Sequence, residues 1–93
     1  MDSQSFANVW DALTETPAES AEMTARSNVL LAVQRVVASW RAAPEASAER
    51  LGIDTARLNA LETGKIGLFS LDQLVGLAAR AGLTVEVRAF EAA

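Results

Sequence analysis

The sequence predicts an all-α domain of about five helices, followed by one short β-strand near the C-terminus. Ala, Leu, Arg and Glu, which all favour helices, dominate the 93 residues, of which 51% are hydrophobic. Apolar residues recur at helical spacing through most of the chain, whereas residues 84–88 alternate with the period of two that is typical of a strand. A chain of this length has room for one compact core.

The N-terminal part of the chain predicts two helices. Four apolar residues share one face of a short first helix. They are Phe6, Val9, Trp10 and Leu13. Thr16 is then placed to cap a second helix, with Pro17 at its first position and Glu19 able to complete a capping box. This second helix is expected to run to about Trp40.

The remaining helices are predicted from their start and stop signals. Pro44 begins the third helix, and Gly52 ends it because glycine readily adopts the left-handed conformation of a helix end. Asp54 and Ser70 are N-caps for the fourth and fifth helices, and the fifth ends at Gly82.

The third and fourth predicted helices are short and are joined by a tight turn at Gly52, which is the pattern of a helix-turn-helix motif. The two helices of such a motif cross closely, so a small residue is needed at the crossing, and Ala48 supplies it. Four larger apolar residues are spaced to anchor both helices in the core. They are Leu51, Ile53, Leu58 and Leu61. Another compact helical hairpin is the alternative interpretation in a chain so rich in Ala.

Composition excludes several classes of function. The chain has no Cys and no His, and therefore lacks the side chains of disulfides, of the usual catalytic triads and of most zinc sites. We expect no enzymatic activity, no metal and no small-molecule cofactor. The longest apolar stretch is too short to span a bilayer and the N-terminus lacks the basic region of a secretory signal, so we expect no membrane partner and a cytoplasmic location.

The charge is unevenly distributed along the chain. The net charge of −4 argues against non-specific binding to nucleic acid. However, residues 1–25 contain five Asp or Glu and no Lys or Arg, whereas four acidic and four basic residues balance in the segment 41–65. The acidity therefore lies outside the predicted helix-turn-helix.

Four stretches of the sequence are similar to a known family. They are SFANVWDAL, ARSNVLLAVQRVV, AERLGIDTARLNALETGKIGLFSLDQLVGLAARAGL and TVEVR. In these stretches the chain resembles the Xre-type, λ-repressor-like helix-turn-helix proteins, and more narrowly the HigA-like antitoxins. The resemblance implies a bacterial, cytoplasmic transcription regulator that binds operator DNA as a homodimer. In the antitoxin branch such a protein represses its own operon and neutralises a basic RelE/HigB-like toxin.

The resemblance also implies which residues contact DNA. Four positions of the fourth predicted helix face the groove. They are Thr55, Ala56, Asn59 and Ala60. Asn59 is the best base reader among them, because its amide can form two hydrogen bonds with adenine. Four basic residues are candidates for phosphate contacts, with ordinary solvated surface as the alternative. They are Arg41, Arg50, Arg57 and Lys65.

An alternative function is a protein-interaction module with this fold and little or no DNA binding. Pro44 favours it, because it stands where the family commonly has a Gln that contacts the DNA backbone. Two Ala residues at groove positions and the net charge favour it as well.

The chain is expected to have three parts. Residues 1–15 form an acidic amphipathic arm, residues 16–82 the helix-turn-helix domain, and residues 83–93 a strand and tail. The apolar stripe of the arm is the candidate toxin-binding surface, with burial in the core as the alternative. A lone strand leaves its backbone groups unpaired, so we expect it to pair with the same strand of a second copy. The predicted dimerisation residues are Leu83, Thr84, Val85, Glu86, Val87 and Arg88.

Overall fold

The computed structural model describes residues 16–91, which contain four α-helices and one short 3-10 helix. In chain order they are α1 (Pro17–Trp40), α2 (Pro44–Leu51), α3 (Thr55–Glu62), the 3-10 helix (Ile66–Leu68) and α4 (Leu71–Arg80). The four α-helices correspond to the second to fifth helices that the sequence predicts. The predicted first helix, with Phe6, Val9, Trp10 and Leu13, lies outside the described residues.

Local capping interactions fix where the helices begin. At the start of α1, the N–H of Glu19 donates to the Thr16 hydroxyl at 3.0 Å, and the N–H of Thr16 donates to the Glu19 carboxylate at 2.8 Å. Ser70 and Gln73 form the same reciprocal pair at the start of α4. The carboxylate of Asp54 accepts the N–H of residue 57 at 2.7 Å and caps α3. These polar groups satisfy backbone donors that the first turn of a helix leaves without partners.

A single apolar core holds the four α-helices together. Six large side chains in it are almost completely inaccessible to solvent. They are Val33, Leu51, Leu58, Leu61, Phe69 and Leu74. Phe69 comes from the loop between the 3-10 helix and α4, and α1 packs along α4. Burial of this kind stabilises α2 and α3 more than their own propensity does, because helices of eight residues are marginal in isolation.

The predicted C-terminal strand is not present in the described part of the chain. Residues 83–91 have no regular secondary structure. Leu83 and Val85 are half-buried against the core, and the residue between them is exposed. The alternation therefore extends to Val85 but not to Val87, which is 89% exposed, and a strand also needs a neighbour to complete its hydrogen-bonded ladder. Residues 16–91 contain no strand that could be this neighbour. The prediction of a strand across the proposed dimerisation residues 83–88 was therefore wrong for the single chain.

Ala48 provides a test of the crossing between α2 and α3. Its side chain is 3% exposed, so we expect Ala48→Leu to overpack the crossing and lower the free energy of unfolding by about 1–3 kcal/mol. Ala46→Leu is the matched control, because Ala46 is exposed on the same helix. Urea unfolding of both variants makes the measurement, and equal stabilities would contradict the close crossing.

Candidate nucleic-acid interface

The turn between α2 and α3 places the two helices against each other. Gly52 ends α2 in the left-handed conformation, with φ of 73° and ψ of 31°. The N–H of Ile53 then donates to the carbonyl of Ala48 at 3.0 Å, which closes the turn. The left-handed backbone conformation is unfavourable for residues other than glycine. The short connection and the buried Ala48 together give α2 and α3 the arrangement of a helix-turn-helix.

The outer face of α3 is open to solvent. Thr55, Ala56 and Asn59 are exposed there, whereas Leu58 and Leu61 on the other side are buried in the core. The structure therefore brings three of the four predicted base-contacting residues together on one accessible surface. We refer to Thr55, Ala56 and Asn59 as the reading face.

Ala60 does not share that accessibility. It is 8% exposed and belongs to the core. It packs with the other buried apolar side chains of the domain, and its carbonyl accepts the N–H of Lys65 at 3.0 Å where α3 ends. Because Ala60 has almost no accessible surface left for a base, it is not among the residues proposed to contact bases.

Three of the predicted phosphate-contacting residues are exposed. Arg41 ends α1 in a left-handed conformation with φ of 51°. The guanidinium of Arg50 lies over the Trp40 ring, with its carbon 3.8 Å from the ring centroid. Lys65 precedes the 3-10 helix. None of these three cations forms an ion pair with a carboxylate within residues 16–91.

Arg57 is held more firmly than the other three basic residues. Its Nη2 donates at 3.0 Å both to the carbonyl of Leu68 and to the side-chain oxygen of Gln73. Its guanidinium carbon also lies 4.4 Å from the centroid of the Phe69 ring. Arg57 therefore connects α3 to the 3-10 helix and to the first turn of α4. The phosphate contact predicted for it has to use the donors that remain.

Two further polar side chains hold the loop after α3, and the sequence patterns did not single them out. Nη1 of Arg26 on α1 donates to the carbonyls of Phe69 and Ile66, at 3.2 and 3.5 Å. Nε2 of Gln34, also on α1, donates to the carbonyl of Leu61 at 2.8 Å. These bonds join residues 27 to 43 positions apart, so no local spacing could have revealed them. They fix the end of α3 and the loop that follows it.

Two other kinds of feature are not found among the described residues, a cluster of metal ligands and a membrane-spanning helix. No group of three or more Asp or Glu side chains within residues 16–91 is placed to hold a metal ion. Of the four α-helices described above, none is long and apolar enough to cross a membrane.

Comparison with known proteins agrees with this geometry. A family model described as a helix-turn-helix domain matches residues 12–89 of the chain. The chain belongs to this family. The match spans all four described α-helices, and within this helix-turn-helix protein α2, the Gly52 turn and α3 have the arrangement of the motif. Searches of curated proteins and of solved structures gave no match.

Proposed function

We propose that this helix-turn-helix protein is a transcription regulator that reads operator DNA with α3. The exposed reading face on the second helix of the motif carries the proposal. In helix-turn-helix proteins the second helix lies in the major groove, and its N-terminal residues contact the edges of the bases. Thr55 and Ala56 are the first two residues of α3, and Asn59 follows one turn later.

Each residue of the reading face has a chemistry suited to the major groove. The amide of Asn59 can donate to N7 and accept from the amino group of adenine, which gives bidentate recognition. The methyl groups of Thr55 and Ala56 can contact the methyl group of thymine. We therefore infer a site in which adenine and thymine pairs are read directly, with few other base-specific hydrogen bonds.

The exposed cations supply the electrostatic part of binding. Arg41, Arg50 and Lys65 are proposed to contact phosphates, because each is solvent-exposed and lacks a carboxylate partner within the described residues. Pro44 at the start of α2 has no N–H to offer a phosphate. Affinity should consequently depend on these side chains and decrease as salt concentration increases.

Asn59→Ala tests direct reading by α3. We expect it to remove about 1–3 kcal/mol of discrimination at one base position, because the bidentate contact with adenine is lost. Fluorescence anisotropy with labelled duplexes from the region upstream of the gene, at two salt concentrations, measures the change. Asn28→Ala is the matched control, since Asn28 is exposed on α1 and lies outside the motif. Identical sequence preference in the two variants would show that α3 does not read the bases.

We also propose a homodimer formed through the C-terminal segment. Val87 and Phe90 are 89% and 87% exposed, which leaves two large apolar side chains in water close to the chain end. The backbone of residues 83–91 has no strand partner within its own described chain. Pairing of two copies about a two-fold axis would cover both features, and would present two copies of α3 to successive half-sites.

Val87→Asn tests this dimer without disturbing the core. Val87 is almost fully exposed and lies beyond the half-buried Leu83 and Val85, so the variant should fold normally. We expect light scattering at tens of micromolar to show a dimer for the wild type and a monomer for the variant. Leu31→Asn is the control, since Leu31 is an exposed apolar residue on α1. A monomeric wild-type protein would contradict the proposal.

The finer proposal is that the protein is a HigA-like antitoxin, located in the bacterial cytoplasm. Its support is the acidic N-terminal part of the chain, in which residues 1–25 contain five acidic and no basic residues. Such a charge would attract a basic toxin, and the apolar stripe of the arm would anchor it. The stripe consists of Phe6, Val9, Trp10 and Leu13. A small basic reading frame beside the gene would identify the toxin.

Deletion of residues 1–15 tests whether the N-terminal arm binds the toxin while the rest of the chain binds DNA. We expect the shortened protein to bind DNA normally and to lose its ability to rescue growth when it is co-expressed with the neighbouring toxin, because the anchor is gone. The full chain serves as the control in both assays. If the deletion instead abolishes the cooperative unfolding transition, the stripe is part of the core and not a partner surface.

A protein-interaction module without DNA binding is the second candidate function. Pro44, Ala56 and the net charge of −4 favour it, since they weaken phosphate contacts, base reading and attraction to DNA respectively. The anisotropy experiment distinguishes the two, because this candidate predicts no sequence preference at either salt concentration. No catalytic role is proposed for a chain without Cys or His.

A further inference from the structure

We propose that a cleft beside the turn of the motif binds a phosphate group of the DNA backbone, with Arg80 and Arg57 as its cationic ligands. The inference rests on the proposed DNA-binding function and adds a contact from α4. Arg80 lies in the last turn of α4, distant in sequence from the motif, and no pattern in the sequence pointed to it.

The cleft lies between the turn and α4 and has a volume of about 300 Å³. Leu51, Ile53 and Leu77 contribute its apolar surface, and Arg57, Gln73 and Arg80 contribute its polar groups. No Asp or Glu among residues 16–91 lines it. Two guanidinium groups therefore face one cavity without a carboxylate to neutralise them, and the complementary ligand is an anion.

Both guanidinium groups have N–H donors that form no hydrogen bond within the described residues. Both hydrogen bonds of Arg57 within residues 16–91 come from Nη2, so its Nε and Nη1 remain available. Arg80 makes no side-chain hydrogen bond or ion pair to another described residue. An arginine carries five N–H donors in a planar fork, and a phosphate group accepts two of them in a bidentate contact.

Gly52 makes room for Arg80 at the turn. A Cβ atom at position 52 would lie 2.9 Å from both Cζ and Nη1 of Arg80, closer than real side chains allow. Glycine lets the guanidinium rest against the backbone of the turn, whereas a Cβ atom would push the end of this side chain aside. This location is two residues before Asp54, the N-cap of α3. The positive charge of Arg80 thus lies at the N-terminal end of the proposed recognition helix.

That end of the helix is where a DNA backbone is expected. A helix that enters the major groove lies between two rows of phosphates, and groups flanking its N-terminal end are within reach of one row. A free phosphate would satisfy the same donors, so the experiment has to distinguish the two sources. We assign the cleft to the phosphodiester because the cations flank the helix that carries the reading face.

The first arm of the test uses inorganic phosphate and nuclear magnetic resonance of the full-length, ¹⁵N-labelled protein. We expect phosphate to shift the amide signals of Gly52 and Gly76 and the Nε–H signals of Arg57 and Arg80, relative to chloride at the same ionic strength. Arg80→Gln should abolish the shifts of the glycine signals, whereas Arg35→Gln should not, because Arg35 is exposed on α1, away from the cleft and from the C-terminal segment. Absence of these shifts in the wild type would overturn the anion site.

The second arm measures duplex binding as a function of salt. Arg80→Gln should reduce the slope of log K against log salt by about 0.9, the value for one phosphate contact, on specific and non-specific duplexes alike. Arg80→Lys should keep the slope because it keeps the charge. It is the control for a structural effect of replacing Arg80. Arg57 is unsuitable for this arm, because it also holds the loop before α4.

The two arms separate the possible failures. If the wild type binds DNA and Arg80→Gln leaves the slope unchanged, the cleft assignment is overturned and the proposed function stands. If phosphate shifts the cleft signals but a duplex added to the same labelled protein does not, the cleft serves a free anion and its assignment to DNA is overturned. If the wild type binds no duplex, the proposed function fails, and the DNA part of this proposal fails with it.

Discussion

The left-handed backbone of Gly52 is the constraint on which the proposed interface depends. It ends α2 and lets the chain reach Asp54, the cap of α3, within two residues. A residue with a Cβ atom in this conformation costs about 1–2 kcal/mol, and here it would also displace the guanidinium of Arg80. Gly52 at the turn and the small Ala48 before it therefore determine how α3 projects from the domain.

A helix as short as α3 also needs support from outside itself. Eight residues form about two turns, which are marginal in isolation. Arg57 ties α3 to the 3-10 helix and to α4, while Gln34 of α1 binds the carbonyl of Leu61 near the end of α3. Arg26 holds the loop from the other side through two backbone carbonyls. The reading face is thus exposed on a helix whose opposite side and both ends are fixed, which suits direct recognition of DNA.

Sequence reasoning succeeded where the determinants are local. The reciprocal caps at Thr16 and Ser70 follow from residues three positions apart, and they set the starts of α1 and α4. It failed where the determinant lies elsewhere in the chain. The burial of Ala60 depends on how α3 packs into the core, and the hydrogen bonds of Arg26 span at least 40 positions. Alternation near Val85 likewise describes which side chains face the core, but it cannot supply the neighbour that a strand requires.

The two halves of α1 differ in what holds them. Every residue from Pro17 to Thr24 is exposed, and the first buried side chain on the helix is Leu30. Within residues 16–91, the capping box at Thr16 and the intrinsic preference of the residues are what stabilises those first two turns. They can consequently open and close without exposing the core, at a free energy below that of global unfolding. Amide protection from hydrogen exchange should therefore increase along α1, from a readily frayed beginning to a second half that exchanges only when the whole domain unfolds.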